Sequence, residues 1–194
     1  MSHSKEVPKA AIKTIVSFFI ILAAAFYYEL PNYGVTVPTP KIENTVGTFY
    51  KVTKVVDGDT IQIDMNGNLE KVRLIGINTP ETVDPRRTVE CFGKEASKRM
   101  HDLLDGKIVR LEYDDTQGLR DTYDRILAYV YLEDEQMINR KMIAEGYAYE
   151  YTYMAPYKYQ KEFRGLQNFA RANEYGLWSI NTCNGSKILK SKNN

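Results

Sequence analysis

Histidine is almost missing from this chain: His3 stands near the N-terminus, His101 lies in a segment of helical pattern, and the 194 residues contain no other. Mechanisms built on paired histidines or on a Ser-His-Asp triad therefore lack their parts. Two cysteines, Cys91 and Cys183, cannot make a zinc site by themselves. Net charge is equally scarce. Lys+Arg number 26 and Asp+Glu 25, leaving +1, so the molecule has almost no long-range attraction for phosphate, which excludes a histone-like or purely electrostatic binder. Any nucleic-acid affinity must come from local patches. No internal repeat is visible, and the length suits one globular domain plus an appendage but not a second full domain.

The appendage is readable at the N-terminus. Lys5, Lys9 and Lys13 precede an uncharged run from Thr14 to Tyr28, the pattern of a membrane-targeting segment. As a helix that run spans about 22 Å; starting at Ala10 and letting Lys13 snorkel gives roughly 28 Å, close to a hydrocarbon core. An uncleaved transmembrane anchor over 14–28 with a basic flank over 1–13 is expected. Ala23-Ala24-Ala25 also resembles a signal-peptidase site, which leaves a cleaved secretory signal as the alternative. In both cases the basic flank stays inside, so the domain is expected outside the cytoplasm, anchored or secreted. Residues 29–45, with Pro31, Pro38 and Pro40, read as a semi-rigid linker. In an oxidising compartment Cys91 and Cys183 could form a disulfide; two buried free thiols are the alternative.

The folded domain is expected over 46–180. Strand-like stretches run from Thr48 to Val56, Thr60 to Asp64 and Leu69 to Ile77, with Asn66-Gly67-Asn68 as a hairpin turn. Cys91 to Leu104 has helical spacing, Lys107 to Tyr113 and Ile126 to Leu132 return to strand character, and Met137 to Glu145 and Tyr157 to Asn173 read as helices. Five short strands and three helices in this order predict an α+β fold with a five-stranded OB-fold barrel. The polar, basic tail over 181–194 is expected to be disordered from Asn184 onward.

Three segments carry chemistry: Val56-Asp57-Gly58-Asp59-Thr60, Arg73-Leu74-Ile75-Gly76-Ile77-Asn78-Thr79-Pro80-Glu81 and Asp121-Thr122-Tyr123-Asp124-Arg125. Each has a bland reading. Asp-Gly is an ordinary tight turn, Thr79-Pro80-Glu81 would start a short helix, and Arg125 would belong to a charged loop. Together they supply oxygen ligands for a hard cation, a spare carboxylate and two guanidiniums, the parts of metal-assisted phosphodiester cleavage. Alternation through the third strand puts Arg73 on the face of Ile75 and Ile77, unfavourable unless it meets an anion; Glu70 and Glu90 are candidate partners.

The order and spacing of these segments resemble the staphylococcal nuclease (thermonuclease) family over about Val46 to Trp178. Gly93-Lys94-Glu95-Ala96-Ser97, Leu127-Ala128-Tyr129-Val130-Tyr131, Met137-Ile138-Asn139 and Gly146-Tyr147-Ala148 add to the match. The resemblance implies an OB-fold barrel and a calcium-dependent phosphodiesterase acting on DNA and RNA and leaving 3′-phosphates; single-stranded or frayed nucleic acid is the expected substrate. It implies Asp59 and the Thr79 carbonyl as calcium ligands, Arg73 and Arg125 as the phosphate-binding pair, and Glu81 as the carboxylate that activates or orients water. Asn78 stands where the family usually has a second calcium-binding aspartate, removing one negative charge unless Asp57 compensates. Asp124 replaces a glycine common before the second arginine, and Thr122 a lysine. The competing function is a catalytically weak or inactive barrel that only binds nucleic acid or a protein.

Tyr147, Tyr149, Tyr151 and Tyr153 alternate, a pattern that puts four rings on one face of an extended segment. Tyr149, Tyr151 and Tyr123 are the candidate substrate contacts, although packing at the barrel rim is the expected role for most of the 15 tyrosines. A monomer is expected.

Overall fold

The computed structural model describes residues 47–82 and 89–188. The expected anchor or signal segment and linker lie outside them. Among the described residues no helix is long and apolar enough to cross a membrane.

Strands β1 (Phe49–Asp57), β2 (Thr60–Met65) and β3 (Asn68–Leu74) form an antiparallel meander; β4 (Ile77–Asn78) follows, then β5 (Ile108–Glu112), β6 (Ile126–Tyr131) and β7 (Tyr149–Glu150). Five of them close a barrel in the order β1-β2-β3-β6-β5, with β3 and β6 parallel and every other barrel pair antiparallel. A register shift between Val52 and Lys54 lets Val52 and Val55, three apart, both point inward. Asn66 and Gly67 have φ of 56° and 88°, so the β2–β3 hairpin is a two-residue turn with both central residues left-handed, and Asn68 belongs to β3.

The third strand is shorter than alternation predicts. It stops at Leu74, and Gly76 at φ 77° turns the chain so that Ile77 and Asn78 pair with Glu150 and Tyr149 of β7. A Cβ at Gly76 would also sit 2.6 Å from the Tyr157 ring, so the turn demands glycine on two counts. The apolar run Ile75 to Ile77 hid this break from a reading by pattern.

Helix α1 (Gly93–Leu104) buries Ala96, Met100, Leu103 and Leu104, a stripe at helical spacing. Helices α2 (Ile138–Ala144) and α3 (Gln160–Ala172) cover the barrel from the other side of the sequence, each slightly shorter than predicted. Buried Asn139 ties α2 to the barrel: its amide donates to the Ile75 carbonyl at 2.9 Å and accepts from the Val130 N–H at 2.9 Å. Those two bonds fix the turn after β3 on which the site is built.

The tail is ordered further than expected. Cys183 is joined to Cys91 by a disulfide across 92 residues of sequence, and Gly185 packs against the Trp178 ring. Closing a loop of that length stabilises by about 4–5 kcal/mol in the chain-entropy account.

Candidate active site

Asp57 ends β1 and pairs with Thr60, the first residue of β2, so that Gly58 and Asp59 form the two-residue turn between them. Both acids are buried, so each needs donors. Asp59 Oδ1 accepts from the Thr60 hydroxyl at 3.0 Å, and its Oδ2 accepts from the Thr79 N–H at 3.0 Å. Thr60 lies opposite Arg73 on the β2–β3 ladder, which brings the Arg73 Nη2 to 3.1 Å from Asp59 Oδ2. Arg73 thus meets an anion, but Asp59 rather than Glu70 or Glu90. Its Nη1 donates to the carbonyls of Leu74 and Ile77 at 2.8 Å each, so the guanidinium is pinned inside the turn that Gly76 makes. Val72 and Leu74 fill the barrel interior instead.

Arg125 stands one residue before β6, whose parallel pairing with β3 carries it to the same corner. Asp121 holds it from both ends of its carboxylate. Oδ1 accepts from the backbone N–H groups of Tyr123 and Arg125 at 2.9 and 3.0 Å, and Oδ2 lies 2.7 Å from Arg125 Nε and 2.6 Å from Nη2. Burial by itself would raise the Asp121 carboxyl, but the Arg125 guanidinium and the two N–H groups hold it below the usual carboxylate value. Arg125 Nη1 reaches the Thr60 hydroxyl at 3.5 Å. Thr60 therefore donates to Asp59 and accepts from Arg125, and the line Arg73, Asp59, Thr60, Arg125 joins both guanidiniums. Asp124 takes no part in it. With φ 61° it occupies a conformation that favours glycine, and its exposed carboxylate lies 3.6 Å from Arg120.

Three carboxylates crowd the corner. Burial pushes the Asp57 carboxyl up; hydrogen bonds from the Thr82 hydroxyl and the Gly58 N–H, both 2.8 Å, oppose that, and the Asp59 and Glu81 carboxylates add repulsion. Glu81 Oε1 accepts from the Thr82 N–H at 2.9 Å, while the Glu81 N–H donates to Glu90 Oε2 at 3.1 Å.

Among the described residues no three acidic, histidine or cysteine side chains converge closely enough to hold a metal by themselves. Amide, hydroxyl and carbonyl oxygens complete a set of the hard-cation type. Asn78 Oδ1 and Asp59 Oδ2 converge on one nitrogen, Arg73 Nη2, at 3.4 and 3.1 Å. The Thr79 hydroxyl is buried with no hydrogen-bond partner, an orphaned oxygen beside them. Asp59, Asn78, Thr79 and Asp57 therefore fit calcium in donor chemistry.

The tyrosines divide. Tyr149 turns edge-on to Trp178, its ring 5.3 Å away, and its hydroxyl donates to the Gly185 carbonyl. Tyr151 and Tyr153 are exposed neighbours with ring centroids 6.4 Å apart. Tyr123 is 80% exposed and lies under the Arg125 guanidinium at 5.3 Å. Reading by sequence assigns no separate role to Thr60 or Asp121, and names Glu90 only as a candidate partner of Arg73. Asp121, two residues before one bonded N–H and four before the other, carried the signal of an Asx-type turn; Glu90 meets the Glu81 N–H instead of Arg73.

A closed barrel that links two guanidiniums and buried carboxylates at one corner is the equipment of a phosphodiester hydrolase. Residues 71–180 match the family model described as staphylococcal nuclease homologue, and the chain belongs to that family. It is 38% identical over 165 residues to Thermonuclease of Staphylococcus hyicus, covering 85% of this chain and 94% of that protein. With Thermonuclease of Staphylococcus intermedius the identity is 40% over 169 residues, 86% of this chain and 99% of that one. Endonuclease YncB of Bacillus subtilis is 36% identical over 127 residues, 65% of this chain and 59% of that protein. The chain is a nuclease, and the α+β barrel with three helices is the fold the sequence predicts.

Proposed function

We propose that this chain is a calcium-dependent endonuclease that hydrolyses DNA and RNA, single-stranded or frayed, on the outer side of the cytoplasmic membrane. The observation that carries the reading is the Thr60 hydroxyl, which accepts from Arg125 and donates to the Asp59 carboxylate that meets Arg73, so that one line of contacts joins both arginines. Arg73 and Arg125 donate to the oxygens of one phosphate, and each guanidinium is already oriented by an acid, which limits the reorganisation needed as charge builds. Glu81 takes the proton from the attacking water. Asp59, Asn78, Thr79 and Asp57 would hold calcium, which when bound supplies charge that polarises a phosphoryl oxygen. Tyr123, Tyr151 and Tyr153 offer exposed rings for base stacking. All these groups come from one chain, in keeping with a monomer. The disulfide supports an oxidising location, and the apolar run from Thr14 to Tyr28 supports tethering at the membrane or secretion through it.

The test is digestion of single-stranded DNA by the full chain with calcium and with chelator, beside Glu81→Ser and Arg73→Ala. Calcium-dependent cleavage lost in both variants is expected; cleavage that ignores calcium, or that survives both changes, refutes the mechanism. Asn78 favours a second reading, a barrel that binds nucleic acid without cutting it. Tight oligonucleotide binding with no cleavage, repaired by Asn78→Asp, would select that reading.

A further inference from the structure

The family model ends at residue 180, yet the residues that follow are wired to Glu81. Residues 79–82 form neither strand nor helix, so no ladder holds Glu81 in place. Glu90 does so from both sides. Its carboxylate Oε2 accepts from the Glu81 N–H at 3.1 Å, and its own N–H donates to the Glu81 carbonyl at 2.9 Å. Gly93 closes the same grip: a Cβ there would lie 2.6 Å from Thr82 Cγ2 and 3.0 Å from the Glu81 carbonyl oxygen.

Glu90 is in turn held by the C-terminal strap. The Lys187 ammonium lies 3.6 Å from Glu90 Oε2, and the Lys187 carbonyl accepts from the Cys91 N–H at 3.0 Å. The strap is fastened at Cys183 by the disulfide to Cys91, and Gly185 donates to the Leu177 carbonyl at 2.9 Å. One end of the device is covalent, and the other is a cation on the carboxylate that orients Glu81. The Lys187 charge thus faces the same oxygen that accepts from the Glu81 N–H.

We propose that the C-terminal strap, fixed by the Cys91–Cys183 disulfide, positions Glu81 through Glu90, so that Glu90 is a positioning residue for hydrolysis and the disulfide a condition for full turnover. The inference rests on the reading of Glu81 as the group that accepts the water proton. It assigns to this chain a dependence that the barrel alone would not have: with the strap loose, substrate still meets Arg73 and Arg125, but the carboxylate is misplaced.

The experiment measures kcat and KM on single-stranded DNA, with calcium, for the full chain and for Glu90→Ala, Glu90→Gln, Lys187→Ala, Cys91→Ser/Cys183→Ser and Glu81→Gln, each below its own melting temperature. Glu90→Ala and the double serine variant are expected to lose about tenfold to a hundredfold in kcat with KM unchanged, the scale of a misplaced catalytic group. Glu90→Gln keeps an oxygen for the Glu81 N–H and is expected to recover most of that loss; Lys187→Ala should fall between. A kcat within twofold of the parent in both Glu90→Ala and the double serine variant, while Glu81→Gln is inactive, overturns the strap and leaves Glu81 its role. Loss through KM alone, or no recovery in Glu90→Gln, also overturns it. Full activity in Glu81→Gln would remove the reading on which the strap depends.

Discussion

Replacing Asp121 by asparagine tests how Arg125 is held. The carboxylate accepts four contacts, two from backbone N–H groups on Oδ1 and two from the guanidinium on Oδ2 at 2.6 and 2.7 Å. An asparagine oxygen can keep the first pair, but its NH2 then faces two guanidinium donors. Removing one partner of a buried ion pair costs about 3–5 kcal/mol, and an exposed pair contributes about 0–1. With 16% of the Asp121 side chain and 26% of Arg125 exposed, the pair lies nearer the buried limit, and about 2–3 kcal/mol is expected. For a domain of this size that is a fall of about 7–10 °C in melting temperature. Because the folded Asp121 carboxyl is held below its unfolded value, its contribution is full above about pH 4 and is lost as pH falls through the lower folded value. The gap between parent and variant should therefore be wide at pH 7 and close in acid. The 3.5 Å contact with Thr60 is too weak to hold Arg125 alone, so KM for single-stranded DNA should rise by about tenfold, the scale of one lost charge-assisted contact. Calorimetric melts from pH 7 down to pH 3 and initial rates give both numbers. A melting temperature within about 2 °C of the parent at pH 7 would refute the assignment of Arg125 to Asp121.

Two further changes probe the oxygen cluster. Gly58→Ala would place a Cβ within 2.7–2.9 Å of the Thr79 side chain, so about 1–3 kcal/mol of stability and a clear weakening of calcium binding by titration calorimetry are expected; unchanged calcium binding would separate Thr79 from the metal. Asp57→Asn keeps an oxygen for Gly58 and Thr82 but removes a charge that burial disfavours. The raised folded value means the parent loses stability as pH rises from the unfolded value through the folded one, so the variant should melt higher at neutral pH yet bind calcium less tightly. A variant that melts lower at neutral pH contradicts the crowding of acids around Asp57.

The barrel strands were legible because their alternation and turn residues are local properties, and Asn66-Gly67 announces its hairpin in two letters. The end of β3 was not. Ile75 and Ile77 continue the pattern of an inward face, and the turn at Gly76 is imposed by Tyr157 and Phe163, far along the chain. The site behaved likewise. Arg73, Asp59 and Glu81 were singled out by the resemblance to the family, but their connections depend on a ladder pairing Thr60 with Arg73 and a parallel pairing of β3 with β6. Tyr149 shows the limit of periodicity. Alternation groups it with Tyr151, yet Trp178 packs against the first and the second is exposed.

The circular strand order also has a consequence for synthesis. Of the barrel strands the meander leaves the ribosome first, carrying an unpaired flank on β1 and another on β3 until β5 and β6 follow, so neither flank is satisfied while α1 is being made. During that interval the nascent chain is a ribbon open on two sides, exposed to proteases and to copies of itself. Closure comes late, at sequence separations that slow folding, and only then do Arg73 and Arg125 share one corner. A polypeptide released before β6 is an incomplete ribbon that carries Arg73 without Arg125.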